Sequence, residues 1–231
     1  MKRENFNYDI LLIDADDTLF DFRQAEKYAL RDTFAEFSLP FNDEIHKLYH
    51  QINKQLWKEY EKGMYRDKSP WPMRFERLLN AINKPGDGAK MNMAYTKNLG
   101  KQPILLDDAE YICSELFKTH RLFIITNGNP SVQHSRFDAS PIKDYFSRMF
   151  ISEEIGSRKP EKQFFDYVLS EINTPEFSRV LIIGDSLSSD IAGGINSGID
   201  TCWFNPKRET APAELTPTYE IHCLKEIFDI V

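Results

Sequence analysis

Three carboxylates follow one apolar run: Ile10-Leu11-Leu12-Ile13 leads into Asp14-Ala15-Asp16-Asp17-Thr18-Leu19-Phe20. In open parallel sheets, ligands bind just beyond the carboxyl ends of the strands. Side chains two apart on extended backbone point the same way. Asp14 and Asp16 can therefore reach one substrate if the turn between them bends suitably. One carboxylate of such a pair can act as a nucleophile. The other can protonate a leaving alcohol and later activate water. The plainer reading is a set of turn-capping residues, since Asp is common at such junctions. An Asp-x-Asp-x-Thr triplet arises by chance in roughly 3% of chains this long, so its place after an apolar strand has to carry the weight.

Three further clusters stand at comparable places. Phe123-Ile124-Ile125-Thr126-Asn127-Gly128-Asn129-Pro130 ends a second apolar run in a hydroxyl, an amide and a glycine. Thr126 and the backbone N–H groups of Asn127 and Gly128 can hold phosphate oxygens, with a helix N-terminus after Pro130 facing the same region. Taken alone, this is also an ordinary strand–turn–helix junction. Lys159 precedes Pro160 and a helix start, where it can set a point charge against phosphate; alone, it reads as a solvated surface lysine. Ile182-Ile183-Gly184-Asp185 runs on to Asp190. Magnesium favours oxygen ligands, usually one or two carboxylates plus waters and phosphate. Asp14 and Asp185 fit as direct ligands, while Asp190 either ligates, orients, or interacts with the N-terminus of the next helix.

The elements that position these residues are legible as apolar runs. Residues 8–13, 122–126, 180–183 and 201–204 read as buried parallel strands alternating with helical patterns, which indicates an α/β fold. Residues 21–100 contain no convincing strand. Phe34, Phe37, Ile45, Leu48, Ile52, Leu56 and Tyr60 recur at helical spacing, and about four helices are expected there. The expected organisation is a discontinuous core, residues 1–20 plus 103–231, with a helical cap at 21–102.

The composition narrows the partners. The net charge of −7 disfavours a nucleic acid polymer. It also means that any phosphate must be neutralised locally. No apolar run approaches the roughly 20 residues that span a bilayer, and no signal-peptide core follows the N-terminus. Cys113, Cys202 and Cys223 are widely spaced and odd in number, which reads as buried thiols in a reducing, cytoplasmic setting.

With its motifs in this order, the chain resembles the haloacid dehalogenase-like hydrolases. They read Asp14-Ala15-Asp16-Asp17-Thr18, Thr126-Asn127-Gly128, Lys159-Pro160 and Gly184-Asp185 through Asp190. The resemblance implies a Rossmann-like, doubly wound parallel sheet with an inserted all-helical cap, and phosphatase activity. It implies that Asp14 is the nucleophile and Asp16 the acid/base, and that Thr126 and Lys159 bind phosphate. Asp14, Asp185 and the backbone carbonyl of Asp16 would hold magnesium. Within the family the chain looks most like bacterial pyrimidine 5′-nucleotidases, on Ile151-Ser152-Glu153-Glu154-Ile155-Gly156, Asp190 through Asn196, and Asn53-Lys54-Gln55-Leu56-Trp57. The expected partner is a small phosphate ester, a nucleoside monophosphate, bound by a monomer or weak homodimer. A sugar-phosphate phosphatase or phosphoglucomutase-like enzyme is the alternative. A phospho-aspartate signalling module is the alternative from another class. For the substrate's leaving group the candidates are Phe20, Trp57, Tyr60 and Arg66. Against that, aromatic residues at helical spacing usually pack inward, and Arg66 reads equally as a solvated side chain.

Overall fold

The computed structural model describes residues 8–61, 64–65, 70–174 and 177–231. Six strands form one sheet in the order β3-β2-β1-β4-β5-β6. They are β1 (Ile10–Asp14), β2 (Arg121–Thr126), β3 (Phe146–Ile151), β4 (Val180–Gly184), β5 (Asp200–Phe204) and β6 (Tyr219–Ile221). Every neighbouring pair runs parallel. All five residues of β1 are buried. Leu11 and Ile13 face one apolar layer with Ile112, Leu116 and Ile227. Ile10 and Leu12 face another with Phe164, Phe165, Val168 and Leu169. A strand covered on both faces must be apolar throughout, which is why the central strands are readable as unbroken runs.

Two strands escape that reading. In β3 the sequence Phe-Ser-Arg-Met-Phe-Ile carries exposed Ser147 and Arg148, as an edge strand permits. In β6 only three residues pair at the other edge. The thiols differ too: Cys113 and Cys202 are buried as expected, but Cys223 is exposed.

The chain divides into two compact units, Met1–Phe22 with Pro103–Val231, and Arg23–Gln102. Among its described residues the second carries four helices, α1 (Phe22–Glu36), α2 (Asp43–Glu61), α3 (Pro72–Ala81) and α4 (Gly88–Gly100). On α2 the buried stripe is His46, Tyr49, Asn53 and Leu56, while Ile45, Leu48 and Ile52 are only partly buried. The stripe has helical period, but two of its members are polar, so a search for apolar repeats finds the neighbouring row. The reason for the polar members is Glu26. It is fully buried on α1 and takes hydrogen bonds from His50 Nδ1 (3.0 Å) and Asn53 Nδ2 (3.2 Å), with His46 Nε2 at 3.4 Å. Arg74 extends the network, reaching Asn53 and, twice, Asn92 Oδ1. Among the described residues no helix is long and apolar enough to cross a membrane.

This network has a pH signature. Burial pushes the Glu26 carboxyl up, but the neighbouring His46 and His50 imidazoles outweigh it and leave it below its usual 4.5. His50 is raised above 6.5, chiefly by its bond to Glu26. The Glu26 contribution is present above pH 4.5 and fades as pH falls through the lowered value; the His50 contribution is present below pH 6.5 and fades as pH rises through the raised one. Thermal unfolding should therefore show the largest gap between wild type and Glu26→Gln between pH 4.5 and 6.5, narrowing on both sides. A gap that does not vary with pH contradicts this account of the network.

Candidate active site

The site is built from strand ends. After β1, the N–H groups of Leu19 (3.0 Å) and Phe20 (2.8 Å) both donate to the Ala15 carbonyl, and Asp17 N–H donates to Phe20 O (2.8 Å). Asp17 takes a left-handed φ of 61° in this turn, a conformation Asp tolerates. The turn closes against the chain's return, where Phe20 bridges Leu105 and Leu106 N–H donates to Leu19 O. Asp14 is thereby left at the strand end, its Oδ2 accepting a bond from Thr18 (3.2 Å).

Lys159 is the counter-charge. Its ammonium donates to Asp14 Oδ1 (2.6 Å), Asp190 Oδ1 (2.7 Å) and the Ile125 carbonyl (3.0 Å). An ammonium has three donors, so the group is fully satisfied, at 2% exposure. The backbone of Lys159 is clamped by Asn127, whose side-chain oxygen accepts from Lys159 N–H (3.0 Å) and whose amide donates to Lys159 O (2.9 Å). Asn127 thus connects the end of β2 to the lysine through its side chain.

Asp190 lies in a π-helical turn, Leu187–Ile191, that leads into the helix Ala192–Ser197. Its other oxygen, Oδ2, accepts from Ser186 N–H (3.1 Å). Asp185 is fixed through its carbonyl, which accepts the Trp203 indole N–H (2.9 Å). Asp14, Asp185 and Asp190 each offer a carboxylate oxygen, all within 4.8 Å of one another. Burial raises the Asp14 pKa, Lys159 pulls it back, and Asp190 pushes it up again. For Asp185, burial and then the Asp14 and Asp190 charges raise it well above the ordinary carboxylate range. Burial opposes the charge on Lys159, yet Asp14 and Asp190 together raise its pKa. Three carboxylates against one ammonium leave excess negative charge held by oxygen donors, which suits a hard divalent cation such as magnesium.

Gly184 is required by close approach: a Cβ there would stand 2.3 Å from the Asp190 carboxylate. Gly184→Ala should push Asp190 off Lys159, lower stability by about 1–3 kcal/mol, and reduce turnover. A variant as active and stable as wild type would show that Asp190 has another place to go.

Thr126 ends β2, and its Oγ1 accepts from Gly128 N–H (3.0 Å) and Gln133 Nε2 (3.2 Å). Both acceptor positions are used, so the hydroxyl's remaining capacity is its own proton. In the described arrangement the Gly128 N–H is therefore engaged with Thr126. Asp16 is not one of the three clustered carboxylates. Its Oδ1 accepts from Arg136 Nη2 and its Oδ2 from Gln133 Nε2 (2.7 Å). Both donors are on the helix Pro130–Asp138, capped by Asn129 Oδ1 accepting from Val132 N–H.

Gln133 and Arg136 were not expected from the sequence. Their signal is a polar pair three apart on a helix whose inward face carries few apolar residues. Phe20, a candidate to contact the leaving group, is 1% exposed and stacks on the Arg136 guanidinium at 4.9 Å. Trp57 and Tyr60 belong to the Arg23–Gln102 unit and cluster with Trp71: Trp57–Trp71 4.4 Å, Tyr60–Trp71 5.0 Å, Trp57–Tyr60 5.8 Å. All three are partly exposed. Phe75, by contrast, is core. Arg66 lies outside the described residues.

A family profile described as haloacid dehalogenase-like hydrolase matches residues 11–204. YfnB of Bacillus subtilis, a HAD-hydrolase by name, is 39% identical over all of this chain and 97% of its own. The pyrimidine 5′-nucleotidase YjjG of Escherichia coli is 35% identical over 95% of this chain and 96% of its own. The pyrimidine 5′-nucleotidase PynA of Streptococcus pneumoniae is 33% identical, over 96% and 94%. A crystal structure of YfnB bound to magnesium superposes with a TM-score of 0.90, covering 97% of this chain and 98% of that one. On the profile match and these full-length likenesses the chain belongs to the haloacid dehalogenase-like hydrolases, as a phosphatase of that family.

Proposed function

We propose that the protein is a magnesium-dependent pyrimidine nucleoside 5′-monophosphatase that works through an aspartyl-phosphate at Asp14. The observation that carries the reading is the Asp14–Lys159–Asp190 contact, with Asp185 within reach of the same point. That contact supports reading Asp14 as a nucleophilic carboxylate beside a phosphate counter-charge and a hard-cation donor set. When bound by Asp14 and Asp185, magnesium would offset the negative charge of the incoming phosphate.

The residues then divide the work. An oxygen of Asp14 forms a bond to phosphorus as the ester P–O bond breaks, and the leaving oxygen takes a proton from Asp16. Water next gives a proton to Asp16 and its hydroxide to phosphorus, which releases inorganic phosphate and restores the Asp14 carboxylate. Lys159 sets its positive charge against the phosphate, the Thr126 hydroxyl donates its own proton to a phosphate oxygen, and Asn127 keeps Lys159 in register. Backing for the nucleotide part comes from the names of YjjG and PynA. The partly exposed Trp57, Tyr60 and Trp71 rings offer faces of the kind on which a nucleobase stacks.

The test is phosphate release from a panel of ribo- and deoxyribonucleoside 5′-monophosphates, sugar phosphates and p-nitrophenyl phosphate, with magnesium and with excess EDTA. Metal-dependent release led by pyrimidine monophosphates is expected. A preference for sugar phosphates would keep the chemistry and discard the nucleotidase assignment. Release unaffected by EDTA would discard the metal.

A further inference from the structure

We propose that Gln133 and Arg136 are positioning residues that fix the Asp16 carboxylate for proton transfer; the proposal rests on the acid/base role given to Asp16 above. Each oxygen of Asp16 is held by a different donor, Oδ1 by Arg136 Nη2 and Oδ2 by Gln133 Nε2. The two holders are also joined, since Arg136 Nη2 donates to Gln133 Oε1 at 3.0 Å. This bond settles which way the Gln133 amide faces: its oxygen meets the guanidinium, so its nitrogen must meet Asp16. The same nitrogen donates to Thr126 Oγ1 at 3.2 Å. One amide group therefore sets the acid/base carboxylate and the phosphate-binding hydroxyl in a common frame.

The arrangement is rigid behind and open in front. Arg136 has a fully buried side chain and Gln133 is 2% exposed, while the Asp16 side chain is 28% exposed. Each carboxylate oxygen accepts one of these bonds and keeps a second lone pair, through which a proton can pass to the leaving oxygen and return from water. Gly128 closes the frame, since a Cβ there would stand 2.0 Å from Gln133 Nε2. Folding alone does not account for Arg136. Its Nε and Nη1 are buried with no hydrogen-bond partner among the described residues. A buried guanidinium left partly unsatisfied is costly, and departures of that kind concentrate at functional sites. Phe20 offsets part of the cost by stacking on the guanidinium face.

The test uses the magnesium-loaded full chain and two esters, a pyrimidine nucleoside 5′-monophosphate and p-nitrophenyl phosphate. The kcat/KM value reports only steps through departure of the leaving group. The alkoxide of the nucleotide needs a proton as it departs, and nitrophenolate does not. Gln133→Met and Arg136→Met should each lower kcat/KM for the nucleotide roughly tenfold or more beyond the loss on p-nitrophenyl phosphate; Gln133→Met also removes a donor from the Thr126 hydroxyl, a loss that both esters share. Arg136→Lys, which keeps a charge, should lose less than Arg136→Met. In an Asp16→Ala background, Gln133→Met should change the ratio between the esters no further, because the residue it positions is gone. If Arg136→Met does not fold, Gln133→Met with its double mutant decides. Equal losses on both esters, a further shift in the Asp16→Ala background, or a gain in turnover would overturn the proposal. A wild type that releases phosphate from neither ester would instead overturn the function proposed above, and this inference with it.

Discussion

Asp14→Asn should lower phosphatase turnover roughly 10⁴-fold or more, the scale seen when a nucleophile is removed, while the protein stays folded. The fold is expected to survive because the replacement suits the local bonds. The asparagine oxygen can accept from Lys159 where Asp14 Oδ1 does. The asparagine nitrogen then faces Thr18 Oγ1, and that hydroxyl can reverse and accept. Burial and the charges of Asp190 and Asp16 already work against ionised Asp14. Without metal, the variant should therefore unfold at a temperature no lower than wild type. Its gain in thermal stability on adding magnesium should be smaller, because a ligand is lost. Activity assays and thermal unfolding with and without magnesium check both halves. Retained turnover in purified variant would remove Asp14 from the nucleophile's place.

Lys159→Met should be the most damaging substitution for the metal-free fold. Removing one partner of a buried ion pair costs about 3–5 kcal/mol, because it strands a charge. Here it strands two, since Lys159 is bonded to both Asp14 and Asp190. Part of the loss is offset if a carboxylate takes up a proton, and magnesium should restore more stability to the variant than to wild type. Turnover should fall by at least about 10²-fold even with magnesium, in line with the loss of one preorganised charge beside the transferring group. Thermal unfolding against magnesium concentration measures the first effect and kcat the second. Unchanged metal-free stability would mean that Asp14 and Asp190 are neutralised by something other than Lys159.

Much of this site could be read from the sequence because its residues follow buried strands. A central parallel strand must be apolar throughout, so Ile10–Ile13, Leu122–Ile125 and Val180–Ile183 are conspicuous, and the polar residue ending each is placed by the fold. The holders of Asp16 were hidden for the opposite reason. Gln133 and Arg136 stand 117 and 120 residues away along the chain, on a helix that announces no chemistry, and only the folded sheet brings them to the first motif. The Glu26 network was hidden in a similar way, because His46 and Asn53 occupy buried positions that hydrophobic periodicity assigns to apolar residues. Edge strands β3 and β6 lacked a signal because solvent on one side relaxes the demand for an apolar run.

The central claim is a phosphoryl group carried by Asp14. The direct measurement is an acid quench of the magnesium-loaded protein during turnover of its best phosphate ester, followed by mass spectrometry of the peptide that contains Asp14. The account predicts one added phosphoryl group on Asp14, lost on treatment with hydroxylamine and absent from Asp14→Asn. A quench taken within a demonstrated burst that shows phosphate on another residue, or none at all, would contradict it.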